Sequence, residues 1–213
     1  MYNIPHFKAK NHQEVLDFMQ ANPFVTICGV DQAGFPVATQ VPVLLTIEED
    51  KIIISGHVMR KQEHTNAFEM NNKVLVIFSG PSAFVSANWY TTKNMGSTWN
   101  YQSVQAKGSL EIKDEKHLYN LLEKLTLHFE KDANAPIQVK NLSAEYLAQN
   151  MKAIYSFDIM VSDLQHVFKL SQNRDEASKA NIHAELSKGD AACKHMAAAM
   201  KAQSNPKDSH KNL

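Results

Sequence analysis

The stretch Lys51-Ile-Ile-Ile-Ser-Gly-His-Val58 decides the character of the fold. Its three consecutive isoleucines favour an extended backbone, because β-branched side chains fit a pleated surface better than a helix. A second apolar run, Val74-Leu-Val-Ile-Phe78, follows after a polar segment. Apolar runs this short, with this composition, are typical of strands that are buried on both faces. The sequence therefore predicts that strands form the core.

Further strands extend this pattern in both directions along the chain. They are Phe24–Val30, Phe35–Ile47, Ala83–Tyr90, Tyr101–Lys113 and Ala153–Met160. Pro42 lies inside the second of them, and a proline within a strand indicates an edge or a bulge. Because tight turns at Asp31–Gly34 and Glu48–Asp50 join neighbouring strands, we expect antiparallel pairing. About six to seven antiparallel strands with helices outside predict a mainly β fold of the α+β class, most economically a small β-barrel.

Helices are predicted between the strands and near the end of the chain. The clearest is Asp114–Asp132, in which Asp114 is the expected N-cap and leucines recur at helical spacing. Shorter helices are predicted at Asn11–Ala21, Arg60–Met70 and Ser143–Lys152. The predicted organisation is a barrel domain, a helical appendage and a disordered polar tail, over residues 1–170, 171–203 and 204–213.

Composition and charge limit the class of protein. The 213 residues are 44% hydrophobic and 21% charged, as in soluble globular proteins. Lys plus Arg and Asp plus Glu both number 22, so no overall basic field favours nucleic acid. The two cysteines, Cys28 and Cys193, form no metal-binding or redox motif. Because we find neither an export signal nor an apolar run of about 20 residues, we expect a cytoplasmic protein without membrane association.

No common catalytic motif is present in the sequence. Dinucleotide-binding, P-loop, nucleophile-elbow and zinc-protease patterns are all missing. The ten histidines do not fall at metal-ligand spacing, and His57 and His64 are separated by a change of predicted element. We therefore predict no metal site and assign no catalytic residue, so the sequence leaves open whether the protein is an enzyme.

The first of three polar clusters is Ser55-Gly-His-Val-Met-Arg-Lys61, where a predicted strand runs into two cations at a predicted helix start. Cations are unfavourable at the positive end of a helix dipole, and a bound phosphate would reverse that sign. Gly56 would also allow close approach of a ligand to the backbone. The alternative interpretation is that Arg60 and Lys61 are simply solvated side chains.

Two later clusters are also rich in polar groups. Thr98-Trp-Asn-Tyr101 places an amide beside two aromatic rings, which suits either a flat ligand or a loop anchored in the core. Lys169-Leu-Ser-Gln-Asn-Arg174 holds five hydrogen-bonding side chains in six residues, which is a dense set of donors for a polar ligand. Alternatively, Asn173 is the N-cap of the helix that follows.

Taken together, the ordered motifs resemble the PaiB-type FMN-binding family, whose members are described as negative transcriptional regulators. The matching segments are Met1–Phe7, Pro42–Leu45, Ser55–Val58, Val74–Pro81, Ala83–Ser86, Trp89–Tyr90, Thr98–Tyr101 and Lys169–Arg174. The resemblance covers almost the whole chain. It implies a split β-barrel similar to flavin reductases and pyridoxamine-phosphate oxidases, which forms a homodimer with FMN in the groove between the subunits.

The resemblance also implies which residues hold the FMN cofactor. Arg60 and Lys61 resemble the phosphate contacts of the family. The strand segment Gln40, Val41 and Pro42 would lie under the flavin ring, and Ser55, Gly56 and His57 would line the same side. The segments that would close the site, with the partner subunit as one source, supply Trp99, Asn100, Tyr101, Lys169, Ser171 and Gln172.

The sequence departs from the family pattern after Val58. The family commonly continues Gly-His-Val with Ala-Arg-Ala-Asn-Pro, whereas this chain continues with Met59-Arg-Lys-Gln-Glu63 and keeps only the arginine. Three functions therefore stay open at this stage. The first is an FMN-binding regulator, and the second is an FMN-dependent oxidoreductase in which His57 is either a proton donor or a wall residue. The third is a barrel that has lost its flavin.

The balanced charge generates a prediction about DNA. We expect the purified dimer to bind operator DNA weakly or not at all at physiological salt, because DNA affinity depends on cations that neutralise phosphates. A mobility-shift titration over a range of salt concentrations measures this affinity. A salt-dependent, sequence-specific shift by the pure dimer would show that the prediction is wrong.

Overall fold

Strands dominate the structure, a computed structural model that describes residues 1–49, 51–132 and 137–204. The six strands found there are β1 Phe24–Val30, β2 Pro36–Glu48, β3 Lys51–Met59, β4 Lys73–Val85, β5 Thr98–Ile112 and β6 Ile154–Lys169. The six α-helices of the same residues are α1 His12–Ala21, α2 Glu63–Met70, α3 Glu115–Glu130, α4 Ala144–Met151, α5 Glu176–Lys188 and α6 Ala191–Ser204. None of these described helices has the length and apolar character that crossing a bilayer requires.

The described chain divides into two compact units. The barrel unit consists of Met19–Phe78 and Gln105–Leu164, and the terminal unit consists of Met1–Phe18, Ser79–Val104 and the residues from Gln165 onward. β1 to β3 and α2 to α4 belong to the barrel unit, α5 and α6 to the terminal unit, and β4, β5 and β6 contribute residues to both. The tail predicted at 204–213 lies outside the described residues except for Ser204.

The barrel closes in the strand order β1-β2-β3-β6-β5-β4. β2 pairs antiparallel with β1 and with β3, and β3 pairs in the same sense with β6. β4 closes the ring through antiparallel pairs with β1, among them Thr26 with Ile77. Closure leaves none of the six described strands at an open edge of the sheet. The predicted mainly β barrel with flanking helices is therefore confirmed.

Side chains along β3 alternate between the barrel interior and its outer surface. Ile52, Ile54 and Val58 are buried inside, whereas Ser55 and His57 are half-buried on the outside. This period of two follows from the pleat of any strand. Because each buried aliphatic side chain contributes about 1.5–3 kcal/mol, the interior residues fix which side chains of β3 point outward.

β2 is not an edge strand, because it has a paired neighbour on each side, but Pro42 itself is paired only with β1. The Val43 N–H donates to the Pro23 carbonyl at 2.9 Å, on the β1 side. The nitrogen of Pro42 therefore faces β3. The ladder of pairs between β2 and β3 ends at Val43 and Gly56, so Pro42 lies one residue beyond it. The missing N–H of the proline removes none of those ladder hydrogen bonds.

Two predicted strands merge into one in β4. The sequence indicated a break between Phe78 and Ala83, but β4 continues through Gly80 and Pro81. Within the terminal unit, a Cβ on Gly80 would lie 2.6 Å from Cε2 of Phe18. Gly80 thus makes room for an aromatic ring and does not mark a turn.

The close packing of β5 on β6 yields a prediction about stability. A Cβ on Gly108 would lie 2.7 Å from Cγ2 of Ile159 and would overlap the Met160 backbone carbonyl. We expect Gly108→Ala to lower the free energy of unfolding by roughly 1–3 kcal/mol, because the backbone of β6 has to move. Urea unfolding measures the change. Gly96→Ala, where an added Cβ meets open space, is the control, and equal unfolding midpoints for the two variants would contradict the prediction.

Candidate functional site

Several predicted site residues of the barrel unit share one surface. Leu44 of β2 pairs with Ser55 of β3, and Ser55 pairs in turn with Asp158 of β6. His57 lies two residues further along β3, opposite Ser156. Outward side chains around these pairs form what we call the outer face, a patch that consists of Gln40, Pro42, Leu44, Ser55, His57 and Asp158.

His57 is the residue of the outer face with an unsatisfied polar atom. Its Nδ1 is buried and has no hydrogen-bond partner within the described residues. Burial lowers the pKa of the imidazole, because the charged form is poorly solvated there. The side chain is therefore neutral at neutral pH and keeps an unused hydrogen-bonding position for a ligand.

Gly56 and Val41 face the other way. Val41 is buried in the barrel interior, and a Cβ on Gly56 would lie 2.7 Å from Cζ of the buried Phe157. The expectation that Ser55, Gly56 and His57 line the same side is therefore wrong for Gly56. Strand alternation separates it from its two neighbours, and its close contact is with a core ring.

The two cations of the first cluster lie before α2 and not within it. Arg60 and Lys61 form a turn, and the helix begins at Glu63. Lys61 has a φ of 58°, in the left-handed region that costs a residue with a Cβ about 1–2 kcal/mol. The predicted helix start at Arg60 was wrong because this turn intervenes. The unfavourable helix-dipole contact predicted for Arg60 and Lys61 therefore does not arise within the first turn of α2.

Arg60 is held against the start of β6. Its Nε donates to the Ile154 carbonyl at 2.8 Å, and its guanidinium carbon lies 5.5 Å from the centroid of the Tyr155 ring. It also lines a cavity of about 340 Å³ together with Lys113 and Lys152. Lys61 by contrast is exposed, and no hydrogen bond or ion pair engages its ammonium within the described chain.

In the terminal unit, the Thr98–Tyr101 cluster separates into an exposed ring and a buried amide. Trp99 is 55% exposed and meets the exposed Phe84 edge to face, with ring centroids 6.1 Å apart. Asn100 is fully buried, and its Oδ1 accepts a hydrogen bond from the Ser171 hydroxyl at 3.0 Å. Its amide nitrogen lies 3.5 Å from the sulfur of Met200 on α6. Asn100 thus ties strand, loop and helix together.

The donors of the Lys169–Arg174 segment are largely used within the terminal unit. The Lys169 ammonium donates to the Thr98 hydroxyl, and the Gln172 side chain accepts from the Leu170 N–H at 2.8 Å. Arg174 stacks on Tyr90 at 4.5 Å from the ring centroid. The helix that follows is capped by Asp175, which accepts from the Ser178 N–H, and not by Asn173. This segment is chiefly a structural clamp.

Asp158 is a residue of the outer face that the sequence did not single out. It lies in the middle of an otherwise apolar strand segment and accepts a hydrogen bond from Ser55 at 2.5 Å. A carboxylate between buried apolar residues was the signal that could have identified it, since such groups are rarely buried without partners. No group of three or more potential metal ligands comes together in the described ranges.

Comparison with known proteins identifies the family. Residues 1–163 match the family described as "Putative FMN-binding domain". The chain belongs to this family. It is an FMN-binding protein of the PaiB type, 35% identical over 186 residues to the protease synthase and sporulation protein PAI 2 of Bacillus subtilis. That match covers 87% of this chain and 89% of the Bacillus protein.

Solved structures support the split-barrel fold of this FMN-binding family member. One is the FAD and heme binding protein of Mycobacterium smegmatis, with a TM-score of 0.58 and 17% identity, covering 83% of this chain and 78% of that one. Another is the flavocytochrome Anf3 of Azotobacter vinelandii, with a TM-score of 0.58 and 15% identity, covering 84% and 78%. At these identities the likeness concerns the fold alone.

The outer face fits the chemistry of FMN. A phosphate group needs cations, and Arg60 and Lys61 lie on the turn directly after β3. A flavin ring carries hydrogen-bond donors and acceptors along one edge, and Ser55, His57 and Gln40 offer polar groups on one surface. The unpartnered Nδ1 of His57 is an atom that a ligand would satisfy.

The buried position of Asn100 leads to a stability prediction. Asn100→Ala removes the acceptor of the Ser171 hydroxyl in a site without water access, so we expect the free energy of unfolding to fall by about 1–3 kcal/mol. Chemical denaturation measures this loss. Gln102→Ala on the same strand is the control, because its half-buried amide has no partner among the described residues. A smaller loss for Asn100→Ala than for Gln102→Ala would count against the clamp.

Proposed function

We propose that this protein is a flavin-dependent regulator of the PaiB type that carries FMN on the outer face of its barrel unit. The observation that supports this placement is the exposed ammonium of Lys61, which follows directly after the strand that presents Ser55 and His57. In this arrangement the phosphate lies at the turn and the ring lies along β2 and β3.

The phosphate end of the proposed site uses two different cations. Arg60 is fixed by the Ile154 carbonyl and the Tyr155 ring, so its charge has a defined position. Lys61 sits on a left-handed turn, and strained residues of this kind recur at ligand clamps. A phosphate between these side chains would make charge-assisted hydrogen bonds, which are among the stronger polar contacts.

The ring end uses the outer face. Ser55 and His57 supply hydrogen-bonding groups, and Gln40 and Pro42 border them on the neighbouring strand. Val41 and Gly56 would contribute backbone only, because they face the barrel interior. In this proposal the partner subunit closes the site with Trp99 and Tyr101. The hydrogen bonds of Asn100, Lys169, Ser171 and Gln172 hold that segment in place.

A homodimer is part of the proposal. Phe24, the β1 partner of Pro42, is 61% exposed. A large exposed aromatic side chain beside a ligand surface favours burial against a second subunit. Sedimentation of the FMN-loaded protein should therefore give about twice the 24.0 kDa of one chain, and a monomer would argue against the shared site.

The regulatory role rests on likeness to the Bacillus subtilis protein, whose name links that protein to protease synthesis and sporulation. With zero net charge, direct DNA binding is not the expected mode of action.

The two unpaired cysteines favour a cytoplasmic location. An oxidoreductase is the second candidate, favoured by the unpartnered Nδ1 of His57, an atom available to exchange a proton with a bound ring. Anaerobic reduction of bound FMN by NADH or NADPH at a catalytic rate would support it.

The cation turn generates the main test. Lys61→Gln removes one exposed charge without disturbing the contacts of Arg60, so we expect FMN to bind about tenfold more weakly, with the loss shrinking at high salt. Quenching of flavin fluorescence on titration measures the affinity. Arg60→Ala should weaken binding at least as much.

Lys51→Gln is the matched control, because Lys51 is an exposed lysine at the other end of the same strand. It should leave FMN affinity unchanged. If Lys61→Gln and Arg60→Ala bind FMN like the parent protein, the phosphate lies elsewhere and the proposed placement is wrong.

A further inference from the structure

Asp158 is the centre of a polar cluster at the border of the outer face. Its Oδ1 accepts a hydrogen bond from the Ser55 hydroxyl, with 2.5 Å between the two oxygens. The same Oδ1 lies 3.4 Å from Nε2 of His117. Its Oδ2 lies 3.6 Å from the ammonium of Lys113. With only 17% of its side chain exposed, this carboxylate has exchanged most of its water for these partners.

The cluster is anchored at the start of α3. The Nδ1 of His117 lies 2.9 Å from the hydroxyl of Ser156, and the Lys113 N–H donates to the Ser156 carbonyl at 2.9 Å. Asp114 caps the helix by accepting from the His117 N–H at 2.8 Å. Residues of several elements therefore hold the carboxylate in one position. A displacement of Asp158 would break its contacts with Ser55, Lys113 and His117 together.

The hydrogen bond to Asp158 decides what Ser55 can offer a ligand. A serine hydroxyl has one proton to donate and two lone pairs to accept with. Because the proton of Ser55 is committed to the carboxylate, only its lone pairs remain for the outer face. Ser55 is therefore set as a hydrogen-bond acceptor, and it would pair with an N–H group of a flavin ring.

The net charge of the cluster bears on the reduction of a bound flavin. Lys113 lies 2.8 Å from Glu111 as well as near Asp158, so one ammonium faces two carboxylates. The hydrogen bond to Glu111, with further contributions from Asp158, raises the pKa of Lys113 and keeps it charged. Two carboxylates against one ammonium leave a net negative charge next to Ser55. A negative charge disfavours the reduced ring, because reduction adds negative charge to it.

We propose that Asp158 is a positioning residue of the flavin site, which fixes Ser55 as an acceptor and biases the bound flavin toward its oxidised form. The inference rests on the proposed function, in which Ser55 borders the ring. It assigns Asp158 no direct contact with the cofactor.

The test is Asp158→Asn in the full chain loaded with FMN. The amide keeps the size of the side chain and removes its charge. Its N–H group can donate a hydrogen bond to Ser55, so the Ser55 hydroxyl is free to donate its own hydrogen bond to the ligand. We expect the ratio of reduced to oxidised FMN affinity to rise about tenfold, which corresponds to a midpoint potential about 30 mV higher for a two-electron couple. Oxidised FMN should bind several-fold more weakly. Potentiometric titration and fluorescence titration give the two values.

Asp163→Asn is the matched control, since Asp163 is another β6 aspartate that pairs with a β5 lysine, Lys107, at 3.1 Å on the exposed surface. It should change neither value. In a Ser55→Ala background, Asp158→Asn should no longer weaken oxidised FMN binding, because the orientation of a hydroxyl is then irrelevant. A loss that persists in that background would overturn the positioning role.

Ser55→Ala by itself covers the case in which Asp158→Asn fails to fold, because it leaves the ion pairs of Asp158 in place. It should weaken oxidised FMN binding, and an unchanged affinity would overturn the inference. If Lys61→Gln weakens FMN but neither the Asp158 nor the Ser55 variant changes affinity or potential, only this inference is wrong. If the Lys61 and Arg60 variants also leave FMN affinity unchanged, both this inference and the proposed placement of FMN are wrong.

Discussion

The alternation of side chains along β3 is the constraint on which the rest of the barrel unit depends. β3 lies between β2 and β6, and its inward residues pack with ones such as Phe157, whose ring leaves no space for a Cβ at Gly56. A slip of one residue would bury Ser55 and His57 and expose Ile52 and Ile54. The apolar core therefore sets the polar outer face, although no core side chain belongs to it.

The same constraint places a carboxylate where it needs partners. Pairing of Ser55 with Asp158 follows from the register of β3 and β6. A half-buried carboxylate is costly without compensation, and Lys113 and His117 provide it from the beginning of α3. The position of that helix is thus coupled to the electrostatics of the outer face, because its first turn and the sheet share one polar cluster.

Much of this fold could be predicted from sequence, because short β-branched runs and turn residues are local signals. The merging of two strands in β4 could not, since Gly80 and Pro81 are normally turn residues and the role of Gly80 here depends on the distant ring of Phe18. The turn at Lys61 was missed for the opposite reason, because a left-handed lysine has no sequence signal. Asp158 was missed because its partners come from other elements.

The polar clusters at Ser55–Lys61 and Lys169–Arg174 are both candidate ligand sites in the sequence. The structure separates them by whether their hydrogen-bonding groups already have partners within the protein. In the later cluster, the side chains of Lys169, Ser171 and Gln172 donate hydrogen bonds to other groups of the protein. In the earlier one, the Nδ1 of His57 is left without a partner within the described chain. Because unsatisfied buried polar atoms are costly, a surface that keeps one is better suited to binding than one rich in satisfied donors.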